Sequence, residues 1–268
     1  MKISDFKNQV GDSNLAIEIL SYILDKTKGE IFLVQELQPK IAKQGIEIAK
    51  QVKAGIPLAY ALGCIEFFGK IFMVNEHVLV PRVDTEILVT STLWLIGKLP
   101  NARVLDLCTG SGCIAVSIAL NTTATVHASD ISPGALEIAK QNAKKHNANI
   151  TFVQSNMLEN ITEKYDIIVS NPPYIRTGEI GCDDASILHE PIIALDGGTD
   201  GLDFYRIIAQ QVHGHLKPNG WLALEIGYDQ AGDVVKLLEQ NNWNDVQIKK
   251  DITGHNRVIL ATRRGKSK

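Results

Sequence analysis

The chain has 268 residues, 45% of them hydrophobic and 21% charged, with a formal net charge of −3 at pH 7. Those values support a sizeable core and exclude a disordered chain, a low-complexity repeat and the basic footprint of a tight duplex nucleic-acid binder. No stretch approaches the roughly 18 consecutive apolar residues of a membrane helix, and Met1-Lys2-Ile3-Ser4-Asp5 lacks a signal-peptide core, so a cytoplasmic protein without membrane contact is expected. Cys64, Cys108, Cys113 and Cys182 form no Cys-x-x-Cys pair and have no His spacing suited to zinc, which predicts reduced, packed thiols and no metal site. The basic tail Arg263-Arg264-Gly265-Lys266-Ser267-Lys268 reads as a solvated terminus.

Residues 1–64 read as a small helical domain. Asp12-Ser13-Asn14 caps a helix whose apolar positions Leu15, Ile19, Leu20, Ile23 and Leu24 make one stripe. A second helix follows Pro39, buries Ile41, Ile46, Ile48, Ala49 and Val52, and ends at Gly55-Ile56-Pro57. Residues 65–80 alternate β-branched and aromatic side chains around Asn75-Glu76-His77, which predicts a β-hairpin linker. Pro81-Arg82-Val83-Asp84-Thr85-Glu86 is a turn leading into a helix. From Arg103 onward the pattern is strand, turn, helix, repeated. Strands are predicted at 104–107, 125–129, 150–153, 166–169 and 221–225, helices at 114–120, 133–146, 204–212 and 229–239, and two final strands at 246–248 and 257–260. This alternation predicts an α/β doubly wound, mostly parallel sheet across residues 81–268, with an antiparallel edge.

Two features carry chemistry. Gly110-Ser111-Gly112 follows a strand and opens a helix, so backbone can approach a ligand at a helix N-terminus. Asp130, at the end of the next strand, is placed to bind a ribose diol. Its competing role is to cap the following helix, but Ser132 before Pro133 suits that role better. Together these predict a nucleoside site. The second feature is Ser170-Asn171-Pro172-Pro173-Tyr174, directly after the apolar run Tyr165-Asp166-Ile167-Ile168-Val169. Two prolines make a stiff corner where ligands of open α/β sheets bind. The Asn171 amide oxygen and the Pro172 carbonyl can accept both N–H bonds of a planar amide or amine, while Tyr174 packs on its face. That arrangement positions a weakly nucleophilic nitrogen against an activated methyl group. A nicotinamide-dependent dehydrogenase or a non-catalytic nucleoside-binding module would share the glycines and Asp130, but neither needs the Asn-Pro-Pro-Tyr corner.

Asn-Pro-Pro-Tyr after Cys-Thr-Gly-Ser-Gly resembles the class I S-adenosylmethionine-dependent methyltransferases that modify amino groups. Further segments narrow the resemblance to the protein-glutamine methyltransferases of peptide chain release factors: Pro57-Leu58-Ala59-Tyr60-Ala61-Leu62-Gly63, Glu66-Phe67-Phe68-Gly69, Val80-Pro81-Arg82, Thr85-Glu86, Glu190-Pro191, Ala194-Leu195-Asp196-Gly197-Gly198, Asp200-Gly201-Leu202, and Asp251 with Gly254 and Arg257. They run in order from about residue 55 to the end. The resemblance implies a Rossmann-like seven-stranded sheet and methylation of the side-chain amide of the Gly-Gly-Gln glutamine, with S-adenosylhomocysteine as the other product. It implies catalytic roles for Asn171, Pro172 and Tyr174, with Pro173 completing the substrate corner. The cofactor would meet Cys108, Thr109, Gly110, Ser111, Gly112, Asp130, Asn156, Met157 and Asn171. Residues 1–64 would recognise the release factor, with a monomer and no stable nucleic-acid binding expected. The alternative within the same chemistry is an adenine amino-methyltransferase acting on nucleic acid, which the acidic balance disfavours.

Three positions depart from the family pattern. Cys108 replaces a glycine and is expected only to trim a backbone contact. Val83-Asp84 keeps acid character but loses a stiff proline. Asn156 replaces an acid yet retains an amide oxygen for adenine's amino group. Glu66, Arg82 and Glu86 read equally as mouth residues or as a domain-interface ion network. His213 and His215 read as surface or capping residues rather than a proton relay. The long loop 175–200, with Asp183 and Asp184, reads as a substrate lid or an insertion.

Overall fold

The computed structural model describes residues 1–182 and 185–263, so Asp183, Asp184 and the tail from Arg264 lie outside the described residues. The chain opens with α1 (Ile3–Val10), α2 (Ser13–Leu24), α3 (Lys28–Ile31), α4 (Pro39–Lys53) and α5 (Leu58–Leu62). Asp12 caps α2 as expected, its Oδ1 accepting from the Asn14 and Leu15 amides at 2.8 and 3.0 Å. Thr27 and Glu30 close a reciprocal capping box on α3. Phe6, Val10, Ile19, Leu20, Ile31 and Ile48 form this unit's core. A Cβ at Gly45 would stand 2.7 Å from Phe6 Cζ, so α4 approaches α1 that closely only because residue 45 has no side chain. Gly45→Val is therefore expected to destabilise the helical unit by roughly 1–3 kcal/mol through overpacking. Guanidinium unfolding read by far-UV circular dichroism checks it; an unchanged midpoint would show that Phe6 yields without cost.

The hairpin differs from the expectation. Its strands are β1 (Cys64–Phe67) and β2 (Lys70–Met73), reversing at Phe68 and Gly69, where φ is 50° and 68°. A two-residue loop with positive φ at both positions matches the twist of its strands, and Gly69 adopts that conformation without penalty. Asn75 does something else: its side chain accepts from the His77 amide at 3.1 Å, a local turn in irregular chain rather than a ladder reversal. The hairpin thus covers 64–73 rather than 65–80.

After a single 3-10 turn, Val83–Thr85, come α6 (Glu86–Ile96), β3 (Arg103–Leu107), α7 (Cys113–Asn121), β4 (Thr125–Asp130), α8 (Pro133–Lys145), β5 (Ile150–Gln154) and β6 (Tyr165–Ser170). The remaining α-helices and strands are α9 (Asp203–Gln211), β7 (Leu216–Glu225), α10 (Ala231–Gln240), β8 (Asn244–Lys250) and β9 (Asn256–Thr262). They form one sheet in the order β5-β4-β3-β6-β7-β9-β8. β3 to β7 are parallel, and β9, inserted between β7 and β8, runs antiparallel to both. Successive residues of β3 point to opposite faces. Leu105 and Leu107 pack with Tyr205, Ile208 and Leu224 on one side, while Val104 packs with Leu88, Ile114 and Val169 on the other. Both faces are covered, which explains the near-continuous apolar strands. The strand order turns back between β3 and β6, and such a switch point opens a crevice beyond the carboxyl ends of its strands. Among the described residues no helix is long and apolar enough to cross a membrane.

Candidate active site

The crevice is real: it encloses about 1020 Å³ of empty space, its mouth included, and is lined by the turns after β3, β4, β5 and β6. Cys108, Thr109, Gly110, Ser111, Asp130, Asn156, Met157, Asn171 and Pro173 line it, together with Pro191, Ile193 and Ala194. Gly112, Pro172 and Tyr174 are not among its lining residues.

The loop after β3 uses three left-handed residues, Cys108, Gly110 and Gly112, with φ of 63°, 53° and 79°. A Cβ on Gly112 would lie 3.0 Å from Ala139 Cβ, so that glycine seats α7 on α8. Nothing lies within 4 Å of where a Gly110 Cβ would point, leaving bare backbone at the cleft. Cys108 does more than trim a contact: a residue with a Cβ in this conformation carries a strain on the order of 1 kcal/mol. Its Sγ meets the Met157 sulfur at 3.9 Å, and burial pushes the thiol pKa up.

Asp130 is pinned by backbone. Its Oδ2 accepts from the Gly110 amide and its Oδ1 from the Ser132 amide, both at 2.9 Å. Burial raises its pKa, and the amides of Ser132, Gly110 and Ile131 offset part of that rise. A carboxylate has about four acceptor sites, so acceptor capacity remains for a ligand beyond these amides. Ser132, not Asp130, caps α8, accepting from the Ala135 amide at 3.1 Å. Asn156 donates from Nδ2 to Glu159 Oε1 at 2.8 Å.

At the end of β6, Ser170 Oγ donates to the Leu107 carbonyl at 2.6 Å, tying the corner to β3. Asn171 Nδ2 donates to Thr85 Oγ1 at 3.4 Å, which turns its amide oxygen the other way. Pro172 and Pro173 are buried, and the Tyr174 hydroxyl donates to Glu225 Oε1 at 3.2 Å. Gln230 Nε2 donates to the Tyr174 carbonyl at 2.9 Å. The 175–200 loop folds back beside the corner, with the Ile175 amide on the Leu195 carbonyl at 2.9 Å and the Gly197 amide on the Ile175 carbonyl at 2.8 Å. Its Glu190 is buried, accepts from the Val80 amide at 2.8 Å and pairs with Arg82.

Of the secondary candidates, Arg82 lines the cleft and is neutralised by Glu190. Glu86 accepts from the Phe68 amide at 2.8 Å, which ties it to the hairpin, and the Glu66 backbone amide donates to the Tyr22 hydroxyl at 3.2 Å. His213 stacks on Trp243 with ring centroids 4.2 Å apart. Asp84 pairs with Arg257 at 3.0 Å, which explains what acid character there is for.

Sequence reasoning gave Asp106 and Glu225 no role beyond their strands, and Thr85 none beyond the Thr85-Glu86 segment of the family resemblance. The signal for the two acids was available: a carboxylate within an apolar, doubly covered strand needs partners or a shifted pKa. Asp106 Oδ2 accepts from Thr109 Oγ1 at 2.6 Å and from the Ala115 amide at 3.1 Å, while Oδ1 has no partner among the described residues. Burial pushes Asp106 and Glu225 each up to about 7. In the unfolded chain both acids titrate near 4. Between those values the folded state holds more protons, so these groups make stability fall as pH rises from about 4 to about 7. Asp106→Asn is expected to flatten that fall in thermal melts; an unaltered slope would assign the pH dependence to other groups.

A family model, the methyltransferase small domain, matches residues 85–193. The chain is 41% identical to the release factor glutamine methyltransferase of Clostridium acetobutylicum, over 92% of this chain and 90% of that protein. It is 37% identical to a bifunctional methyltransferase of Rickettsia felis over 97% of its own length, and spans 56% of that longer protein. A solved methyltransferase from Pyrococcus furiosus shares the fold with a TM-score of 0.57 at 18% identity, covering 81% of this chain and 98% of that one. Identity at this level over nearly the whole of both chains, on a cleft built from the glycine loop, Asp130 and the Asn171 corner, places the chain in the family of release factor glutamine methyltransferases.

Proposed function

We propose that the chain transfers a methyl group from S-adenosylmethionine to the side-chain amide nitrogen of the glutamine in the Gly-Gly-Gln motif of peptide chain release factors. The observation that carries this reading is Asn171, standing on the cleft wall at the exit of β6 with its amide nitrogen engaged by Thr85 and its oxygen turned away. The cleft fits the cofactor. Gly110 leaves open space where any Cβ would project, Asp130 keeps acceptor sites for ribose hydroxyls, and Arg82 at the wall is neutralised by Glu190 and so does not repel a cation. Backbone from Cys108 through Gly112 would hold the amino-acid portion, and Asn156 and Met157 the adenine. S-adenosylmethionine, when bound, supplies an electrophilic methyl group on a sulfonium.

The remaining chemistry belongs to the protein. Asn171 Oδ1 and the Pro172 carbonyl accept the two N–H bonds of the substrate amide, which aims its nitrogen and stabilises the positive charge it acquires. Pro172 and Pro173 hold that pair of acceptors rigid. Tyr174, anchored on Glu225, backs the planar group. The nitrogen sheds one proton as the N–C bond forms. The helical unit and the β1–β2 hairpin serve to grip the release factor. The decisive experiment supplies methyl-labelled S-adenosylmethionine with a purified release factor and, in parallel, with DNA. Label should appear on the Gly-Gly-Gln glutamine by peptide mass mapping and vanish when that glutamine is replaced by alanine. Label on DNA alone would overturn the assignment.

A further inference from the structure

One buried residue fastens the Asn171 corner without entering the mechanism above. Gln230 lies between β7 and α10 and is 3% exposed. Its Nε2 donates to the Tyr174 carbonyl at 2.9 Å and to the Gly201 carbonyl at 3.3 Å. Its Oε1 accepts from the Gly227 amide at 3.0 Å, and the Tyr205 hydroxyl lies 3.4 Å from the same oxygen. A single amide thus joins the last residue of the corner, the 196–202 loop, the exit of β7 and α9. Its direction follows from those partners. Backbone carbonyls only accept and a backbone N–H only donates, so the NH₂ faces Tyr174 and Gly201 while the oxygen faces Gly227. Space is matched as closely. A Cβ on Gly201 would stand 2.5 Å from the Tyr174 carbonyl oxygen and 2.6 Å from Gln230 Nε2, and one on Gly227 would stand 2.7 Å from Gln230 Oε1. Absence of a side chain at both positions lets the turns close onto Gln230.

The corner needs such a hold. Pro172 and Pro173 have no N–H to give to a ladder. The register of β6 with β3 and β7 runs to Ser170, and the chain is next bridged at Ile175, opposite Asp196. Between those points Thr85 meets the Asn171 side chain and Glu225 the Tyr174 hydroxyl, while Gln230 takes hold of the main chain itself. The carbonyl it holds is two peptide units beyond that of Pro172. Because φ is fixed at both prolines, an anchor at Tyr174 leaves few torsions through which the Pro172 carbonyl can swing.

We propose that Gln230 is a positioning residue for methyl transfer: by anchoring the Tyr174 carbonyl it sets the angle at which the Pro172 carbonyl and the Asn171 amide meet the substrate nitrogen. This role rests on the proposed glutamine methylation, because two acceptors on one planar amide aim its nitrogen only when their mutual angle is fixed. The competing role is architectural, in which Gln230 fastens the start of α10 and contributes to stability alone. Gln230→Met keeps an unbranched side chain of similar length and donates nothing. Gln230→Asn keeps the amide but is one methylene too short to span Gly227 and Tyr174.

The test has two readouts. In ¹⁵N-labelled protein without substrate, the Asn171 side-chain NH₂ pair, identified by its loss in Asn171→Ala, should move in both variants, although the hydrogen bonds of Gln230 go elsewhere. In methyl transfer to a release factor, kcat should fall roughly 10- to 100-fold in Gln230→Met and less in Gln230→Asn, with the release-factor KM and S-adenosylmethionine affinity within about threefold of the parent. Thermal melts confirm folding, and Gln230→Asn decides if Gln230→Met unfolds. Parental kcat in the folded variant overturns the proposal, and a lower melting temperature alone would then make Gln230 architectural. A kcat loss that follows weaker cofactor binding, or one with an unmoved Asn171 resonance, overturns it too. A moved resonance in a protein whose parent form transfers no methyl to the release factor sustains the positioning and overturns the assigned substrate instead.

Discussion

Asn171→Ala is expected to bind S-adenosylmethionine nearly as the parent does and to turn over roughly 100-fold more slowly or worse, the scale for loss of one preorganised polar group in an active site. The separation follows from where the residue stands. The polar groups proposed for the cofactor are the loop after β3 and Asp130, and Asp130 is held by the Gly110 and Ser132 amides rather than by the Asn171 corner. The side chain lost by the substitution lines the cleft and is held there by Thr85, and its oxygen is the acceptor proposed for the substrate amide. Removing it leaves a substrate amide with the Pro172 carbonyl alone, free to rotate its nitrogen out of line. Calorimetric titration with S-adenosylmethionine and single-turnover methyl transfer separate the two effects. Equal turnover by the variant would remove the corner from the mechanism.

Asp130→Ala should fail at the preceding step. The substitution strips the partners from two backbone amides at once and removes the acceptors proposed for the ribose. Each unsatisfied donor costs on the order of 1–3 kcal/mol, so cofactor affinity should drop by roughly 100-fold or more while the melting temperature also falls. Asp130→Asn is the informative companion, because one amide oxygen can still accept from Gly110 or Ser132 but not serve both and a ribose. We expect it to recover most of the stability and little of the affinity. An Asp130→Ala protein that retains parental affinity would reassign the residue to loop architecture alone.

The fold was legible wherever local physics is decisive. The α2 stripe is announced by its Asp12 cap, and the parallel strands by apolar runs alternating with helices. The hairpin was misplaced because Asn75-Glu76-His77 and Phe68-Gly69 are both competent turns, and only pairing β1 against β2 shows which one reverses a ladder. The final strands were read as an antiparallel edge, but the insertion of β9 between β7 and β8 depends on which neighbour offers an open strand edge and an apolar face.

The same division runs through the site. Residue type and order alone singled out the Gly110 loop, Asp130 and the Asn171 corner, which the fold brings to one cleft, because the signal of each is local: glycine's conformational freedom, a carboxylate at a strand's end, and two prolines after an asparagine. What only the tertiary structure decided is who stands behind them. Thr85 meets Asn171 and Glu225 meets Tyr174 across 86 and 51 residues of chain, because α6, β6 and β7 pack side by side. A buried carboxylate's charge, a hydroxyl's proton and an amide's orientation are set by partners in space, and no spacing along the chain encodes them.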